Sequence, residues 1–140
     1  MTNTNQNHNN PPTQSEISDL RIQAQQALRA HAARPHLPRL VPHLEVPKRS
    51  IYTPVGFAAM LHAIAHIEYN AIRLAFDAVQ RFEGMPESFY TDWMRVAKEE
   101  QMHFGLLESL LQSLGHAYGD FTAHDGLWHM CEITAGDIVA

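Results

Sequence analysis

An all-α fold is what this sequence predicts, and three observations predict it. Two stretches of about 30 residues, on either side of Gly84-Met85-Pro86, carry apolar residues at helical spacing with no proline in their interiors. No segment alternates apolar and polar residues in the manner of a half-buried strand. The break between the two stretches is only a few residues long, so they must fold back on each other as an antiparallel hairpin.

The elements follow in order. Residues 1–14, "MTNTNQNHNNPPTQ", read as a disordered polar tail, and they lack the basic start and apolar centre of a secretion signal. Residues 15–52 form a second unit. Its first part, to residue 32, is a short helix capped by Ser15 or Ser18, with Ile17, Leu20, Ala24 and Leu28 as a weak apolar face. The next part, "RPHLPRLVPHLEVPKRS", carries four prolines that remove backbone donors, and reads as an extended strap lying across the domain.

The third unit, 53–140, opens with Thr53 as helix cap and Pro54 in the first helical position, and Gly84 closes the far end. Such a helix is roughly 45 Å long at about 1.5 Å per residue. Pro86 restarts the chain, and a second long helix runs to Gly115. "HAYGDFTAHDG" is a loop, and "LWHMCEITAGDIVA" reads as the opening turns of a third helix.

Composition narrows the function classes. A chain of 140 residues, 45% hydrophobic and 18% charged, suits one modest core. Its net charge of −5, with no basic run, argues against a general nucleic-acid binder. Cys131 is the single cysteine, which forbids an intramolecular disulfide and suits a reducing cytoplasm. No stretch approaches the roughly 18 uninterrupted apolar residues of a membrane span.

Two carboxylates stand out against this background. On a helical wheel centred on Glu68, the residues Phe57, Leu61, Ile64, Ile72 and Val79 fall within roughly 60°. His62, His66, Asn70, Arg73, Asp77 and Gln80 lie on the far side. Centring the second helix on Glu100 gathers Phe89, Trp93, Phe104, Leu107 and Leu111, with His103 on one shoulder. Each helix therefore turns a carboxylate into its own apolar stripe. A lone buried carboxylate costs several kcal/mol, so it must be paired, protonated or bound to a cation.

A metal ion answers that demand for Glu68, Glu100 and His103 together. A spacing of three puts the carboxylate and the imidazole on one side of a helix, one turn apart. Helix-bundle di-iron sites use a Glu from one helix and Glu-x-x-His from its neighbour, with carboxylates suited to iron or manganese. The motif alone is weak. Nine Glu and ten His in 140 residues produce roughly 0.6 Glu-x-x-His matches by chance. Its weight comes from its place in an apolar stripe opposite Glu68. The competing reading is a metal-free polar network in which Glu68 and Glu100 meet His103 or an arginine.

Other polar residues carry less. His62 and His66 are one turn apart, as in some zinc sites, but the Glu of a zinc-protease motif is missing. Their place on the polar side predicts solvent exposure or contact with the strap. His124 and Asp125 read as loop residues and His129 as an early helix residue, while Cys131 reads as a small buried hydrophobe.

From residue 34 to the last residue the chain resembles a bacterial ferritin-like family, domain of unknown function 455. The match is carried by "HAIAHIE", "FYTDW", "EEQMHF" and "YGDFTAHDGLW", with "RPHLPRLVP" upstream. The resemblance implies a four-helix ferritin-like bundle in which Glu68, Glu100 and His103 are half of a two-metal ligand set, iron or else manganese. Glu68 and Glu100 would bridge the metals and His103 would be a terminal ligand. A more distant similarity to ferritin-like tRNA hydroxylases suggests oxygen-dependent hydroxylation, although this chain has no basic groove for tRNA. Family members continue through an "EARGLD"-like segment and a later Glu-x-x-His-like helix, neither of which follows "TAGDIVA" here.

The resulting expectation is a chain truncated to the N-terminal half of a bundle: its first long hairpin and the start of a third helix. A homodimer about a two-fold axis is the other way to complete the site, as in the two-helix encapsulated ferritins that this arrangement resembles. The function expected of the complete protein is that of an oxidoreductase or oxygenase. Its alternatives are a metal-free helical interaction protein and an inactive truncated paralogue.

Overall fold

Three helices make up the fold, in a computed structural model that describes residues 10–126. They are α1 (Gln14–Ala32), α2 (Pro54–Arg81) and α3 (Glu87–Ser113), with one 3-10 turn at His43–Glu45 between α1 and α2. Among the described residues there is no strand beyond a single parallel bridge, Leu40 to Ala123. The all-α reading therefore holds. Most of the expected tail, the start of a third helix, His129 and Cys131 lie outside the described residues.

The helix ends follow from local chemistry. Thr53 caps α2 by accepting from the Gly56 N–H at 3.1 Å, and Pro54 occupies the first turn, where its missing donor costs nothing. The first helix departs from expectation by starting earlier. Thr13, not Ser15 or Ser18, is the cap: its hydroxyl accepts from the Glu16 N–H while the Glu16 carboxylate accepts from the Thr13 N–H. This reciprocal pair satisfies two orphan donors, which neither serine could do with the residue three positions on. The third helix begins after Pro86 and ends before Gly115, whose φ of +82° suits a residue without Cβ.

Packing then sets the layers. The five residues between Arg81 and Glu87 fold α2 and α3 into the antiparallel hairpin, with Tyr90 hydrogen-bonding the Phe82 carbonyl at 2.9 Å across the turn. Helix α1 lies antiparallel to α2 on one side of that hairpin. Its Arg21 donates to the Gln80 carbonyl at 2.9 Å, and at its other end the His31 ring stacks on Tyr69 with centroids 3.5 Å apart. The segment after α3 returns over α2, where it pairs with the strap through Val41 N–H to the Ala123 carbonyl at 2.8 Å. Leu111, Val79, Ala97 and Ala65 are fully enclosed between these layers.

The opposite side of the hairpin is open among the described residues. Phe57, Ile64 and Ile67 of α2 and Leu106, Leu110 and Leu114 of α3 are all exposed. Helix α2 thus carries apolar residues on this open side as well as in the core.

Candidate metal centre

Glu68 and Glu100 meet at the middle of the hairpin, along the seam where its packed side gives way to its open side. Each carboxylate is half-buried, with side-chain exposures of 22% and 23%, and His103 is more open at 48%. The position differs from the one expected. Glu68 sits at the edge of the buried arc and not at its centre, because α1 and the 116–125 segment cover the flank that carries Tyr69, His62 and His66.

The three side chains nevertheless converge. The His103 Nδ1 lies 3.3 Å from a Glu100 carboxylate oxygen and 4.0 Å from one of Glu68. One ligand atom from each residue falls within 4.8 Å of the other two, a group that could hold a metal ion. The two carboxyl groups also act on each other. A hydrogen bond with Glu100, helped by partial burial and the neighbouring negative charge, pushes the Glu68 carboxyl up to about 7. The same hydrogen bond, with His103 beside it, holds the Glu100 carboxyl below its usual range. The pair thus holds one proton between its two carboxyls well above the pH at which an isolated carboxyl loses it.

Donor chemistry fits a hard or borderline divalent cation: two carboxylates and one imidazole, with no thiolate. A cation would displace the shared proton and relieve the repulsion between the carboxylates.

The histidines expected on the polar side are placed quite differently. His62 is 1% exposed, and His66, Asn70 and Asp77 are also buried. The 116–125 segment covers the first three of these. The Gly119 N–H donates to the His62 Nε2 at 3.0 Å, so that nitrogen carries no proton. The His66 Nε2 donates to the His124 carbonyl at 3.1 Å, and its Nδ1 accepts from the Tyr118 hydroxyl at 2.8 Å. Asp125 is held by Asn70 at 2.9 Å and by Arg73 at 3.5 Å. Both imidazoles are therefore taken up in fastening a loop to α2. Neither is open to solvent, and their hydrogen-bond partners lie in the loop; the strap adds Val46 beside His66 at a cleft on α2. The local pattern held no signal for this cover, because the flank of α2 that the loop covers is its polar one.

Burial pushes the imidazoles of His31 and His62 down to about 4, and it lowers that of His66 as well. The unfolded chain takes up these protons near pH 6.5, while the folded chain resists them. Stability from this source is therefore complete above about pH 6.5 and is lost as pH falls toward 4, by on the order of a few kcal/mol. Urea midpoints of the Glu68→Gln variant, which removes the opposing titration of the Glu68 carboxyl, should fall steadily between pH 7 and 4.5. A flat profile over that window would mean the imidazoles are not enclosed.

A family profile described as "Protein of unknown function (DUF455)" matches residues 2–140. An uncharacterized protein of Haemophilus influenzae is 53% identical over 116 residues, covering 76% of this chain and 40% of that protein. The chain thus spans about two fifths of the length of that relative. No solved structure matches it significantly. No helix among the described residues is long and apolar enough to cross a membrane.

Proposed function

The chain belongs to DUF455, a family of proteins of unknown function, and we propose that it supplies half of a carboxylate-bridged metal centre in a ferritin-like bundle. The observation that carries this reading is the meeting of Glu68, Glu100 and His103 within 4.8 Å on two adjacent helices. Glu68 and Glu100 would hold iron or manganese through their carboxylates, and His103 would supply a nitrogen ligand. The remaining ligands come from helices that cover the open side of the hairpin, either in a longer polypeptide or in a second copy of this chain. Two such ions supply redox chemistry toward dioxygen or peroxide, so the complete protein is an oxidoreductase or oxygenase.

The residues of this chain have separate parts in that centre. Glu68 and Glu100 would give up their shared proton when a cation binds, and His103 would add its nitrogen beside them. A metal-free reading is the alternative, since a hydrogen bond between Glu68 and Glu100 would satisfy both groups without a cation. The two readings differ in a titration of the full chain with iron(II) under anaerobic conditions. The metal reading expects saturable binding at a fixed stoichiometry, with proton release near pH 6.5. Absence of saturable uptake in a folded chain supports the metal-free network and rejects the proposed centre.

A further inference from the structure

At the C-terminal end of α1 the three helices leave a cleft of about 450 Å³ between them. Helix α1 gives it Ala27, Ala30 and His31, α2 gives Tyr69, Ile72 and Phe76, and α3 gives Gln101 and Phe104. That volume takes a molecule of one or two rings. The walls are chiefly apolar and aromatic, so the few polar groups among them decide what fits.

His31 is the most informative of these. Its ring is stacked on Tyr69 with centroids 3.5 Å apart, and the Tyr69 hydroxyl donates to its carbonyl. Its Nε2 is the one buried side-chain nitrogen or oxygen without a hydrogen-bond partner among the described residues. Such an atom lowers stability until something pairs with it. Stacking leaves the ring able to slide in its own plane toward a molecule seated in the cleft.

Charge narrows the ligand further. The Arg34 guanidinium, which also lines the cleft, is paired with Glu108 and lies 5.0 Å from the Phe104 ring centroid. The cleft adjoins the negative end of α1, which disfavours a bound anion. A bound cation is disfavoured by Arg73 and Arg34, whose charges add to burial in holding the His31 imidazole down to about 4. The ring is therefore neutral, and its Nε2 bears a proton in one tautomer and a lone pair in the other. A hydroxyl can pair with either.

We infer that this cleft binds a neutral alcohol or phenol of one or two rings, with its ring against Ile72 and Phe104 and its hydroxyl on the His31 Nε2. The inference does not rest on the metal reading, since Glu68, Glu100 and His103 do not line the cleft.

The test titrates the full chain with para-cresol, benzyl alcohol and cyclohexanol while NMR follows the imidazole resonances. Benzoate, benzylamine and toluene are the charged and apolar controls. At least one alcohol is expected to shift the His31 resonances saturably and to bind at least about tenfold more tightly than every control. His31→Phe, which keeps a stacked ring, should lose that preference for a hydroxyl. Ala30→Leu, at an exposed position lining the cleft, should abolish binding in a chain that circular dichroism shows to be folded. Should His31→Phe fail to fold, the controls and Ala30→Leu decide. The inference is overturned if no alcohol shifts the His31 resonances saturably, or if a control binds as tightly. It is also overturned if folded His31→Phe keeps the preference or if Ala30→Leu binds unchanged.

Discussion

Glu68→Gln should lose high-affinity iron binding by about 100-fold or more, the scale at which metal sites respond to loss of a supporting group, while making the metal-free protein more stable at pH 8. The two effects have opposite signs because they come from the same carboxyl group. In the folded chain Glu68 keeps its proton to about pH 7, whereas in the unfolded chain it loses it near 4.5. Between those values the folded state binds more protons than the unfolded state, so the stability of the unaltered chain falls as pH rises through the window. A glutamine never ionises and removes that decline. It also offers a metal a neutral amide in place of a charged bridge.

Glu100→Ala should lose iron to a similar degree, and Glu99→Ala, whose side chain is exposed one position earlier on α3, should lose none. Iron titration and urea melts on the same preparations give both readouts. Equal iron affinity in Glu68→Gln and the unaltered chain would reject the metal centre.

The second large effect is expected at Gly119. A Cβ added there would stand 1.9 Å from the His36 carbonyl oxygen, and the residue has φ +108°, which L side chains rarely adopt. His36 is itself held at φ +60°, so the opposing backbone has little room to yield. Gly119→Ala should therefore cost about 3 kcal/mol or more, through both the clash and the backbone strain. The damage should pass to His62, whose Nε2 accepts from the Gly119 N–H. Proton titration by NMR is expected to show the His62 imidazole moving from about 4 back toward 6.5 as the loop lifts from α2. A variant with unchanged stability and an unchanged His62 would mean that the loop does not rest on His36 as described.

Much of this architecture is legible in the sequence. Thr53-Pro54, the break at Gly84 and the restart after Pro86 mark the hairpin through rules that act within a few residues. The convergence of Glu68, Glu100 and His103 is legible too, since a five-residue turn leaves two long helices only one way to align. What periodicity alone misjudged is which flank is covered. Wheels centred on the glutamates treat the apolar arc as symmetrical, but α1 and the 116–125 segment cover one side only. The tertiary partners of His62, His66 and Asn70 are more than 50 residues distant in sequence, and no local pattern names them. The Thr13 cap is legible locally, because Thr-x-x-Glu at 13–16 spells a capping box just ahead of Ser15 and Ser18.

The brevity of the turn between Arg81 and Glu87 bears on how the protein is made. Glu68 and Glu100 are 32 positions apart, and nearly all the contour between them is helix, so little loop-closure entropy opposes their meeting. Local helical contacts of this kind form early and fast in folding. During synthesis the acidic pair would therefore come together soon after both helices have emerged from the ribosome.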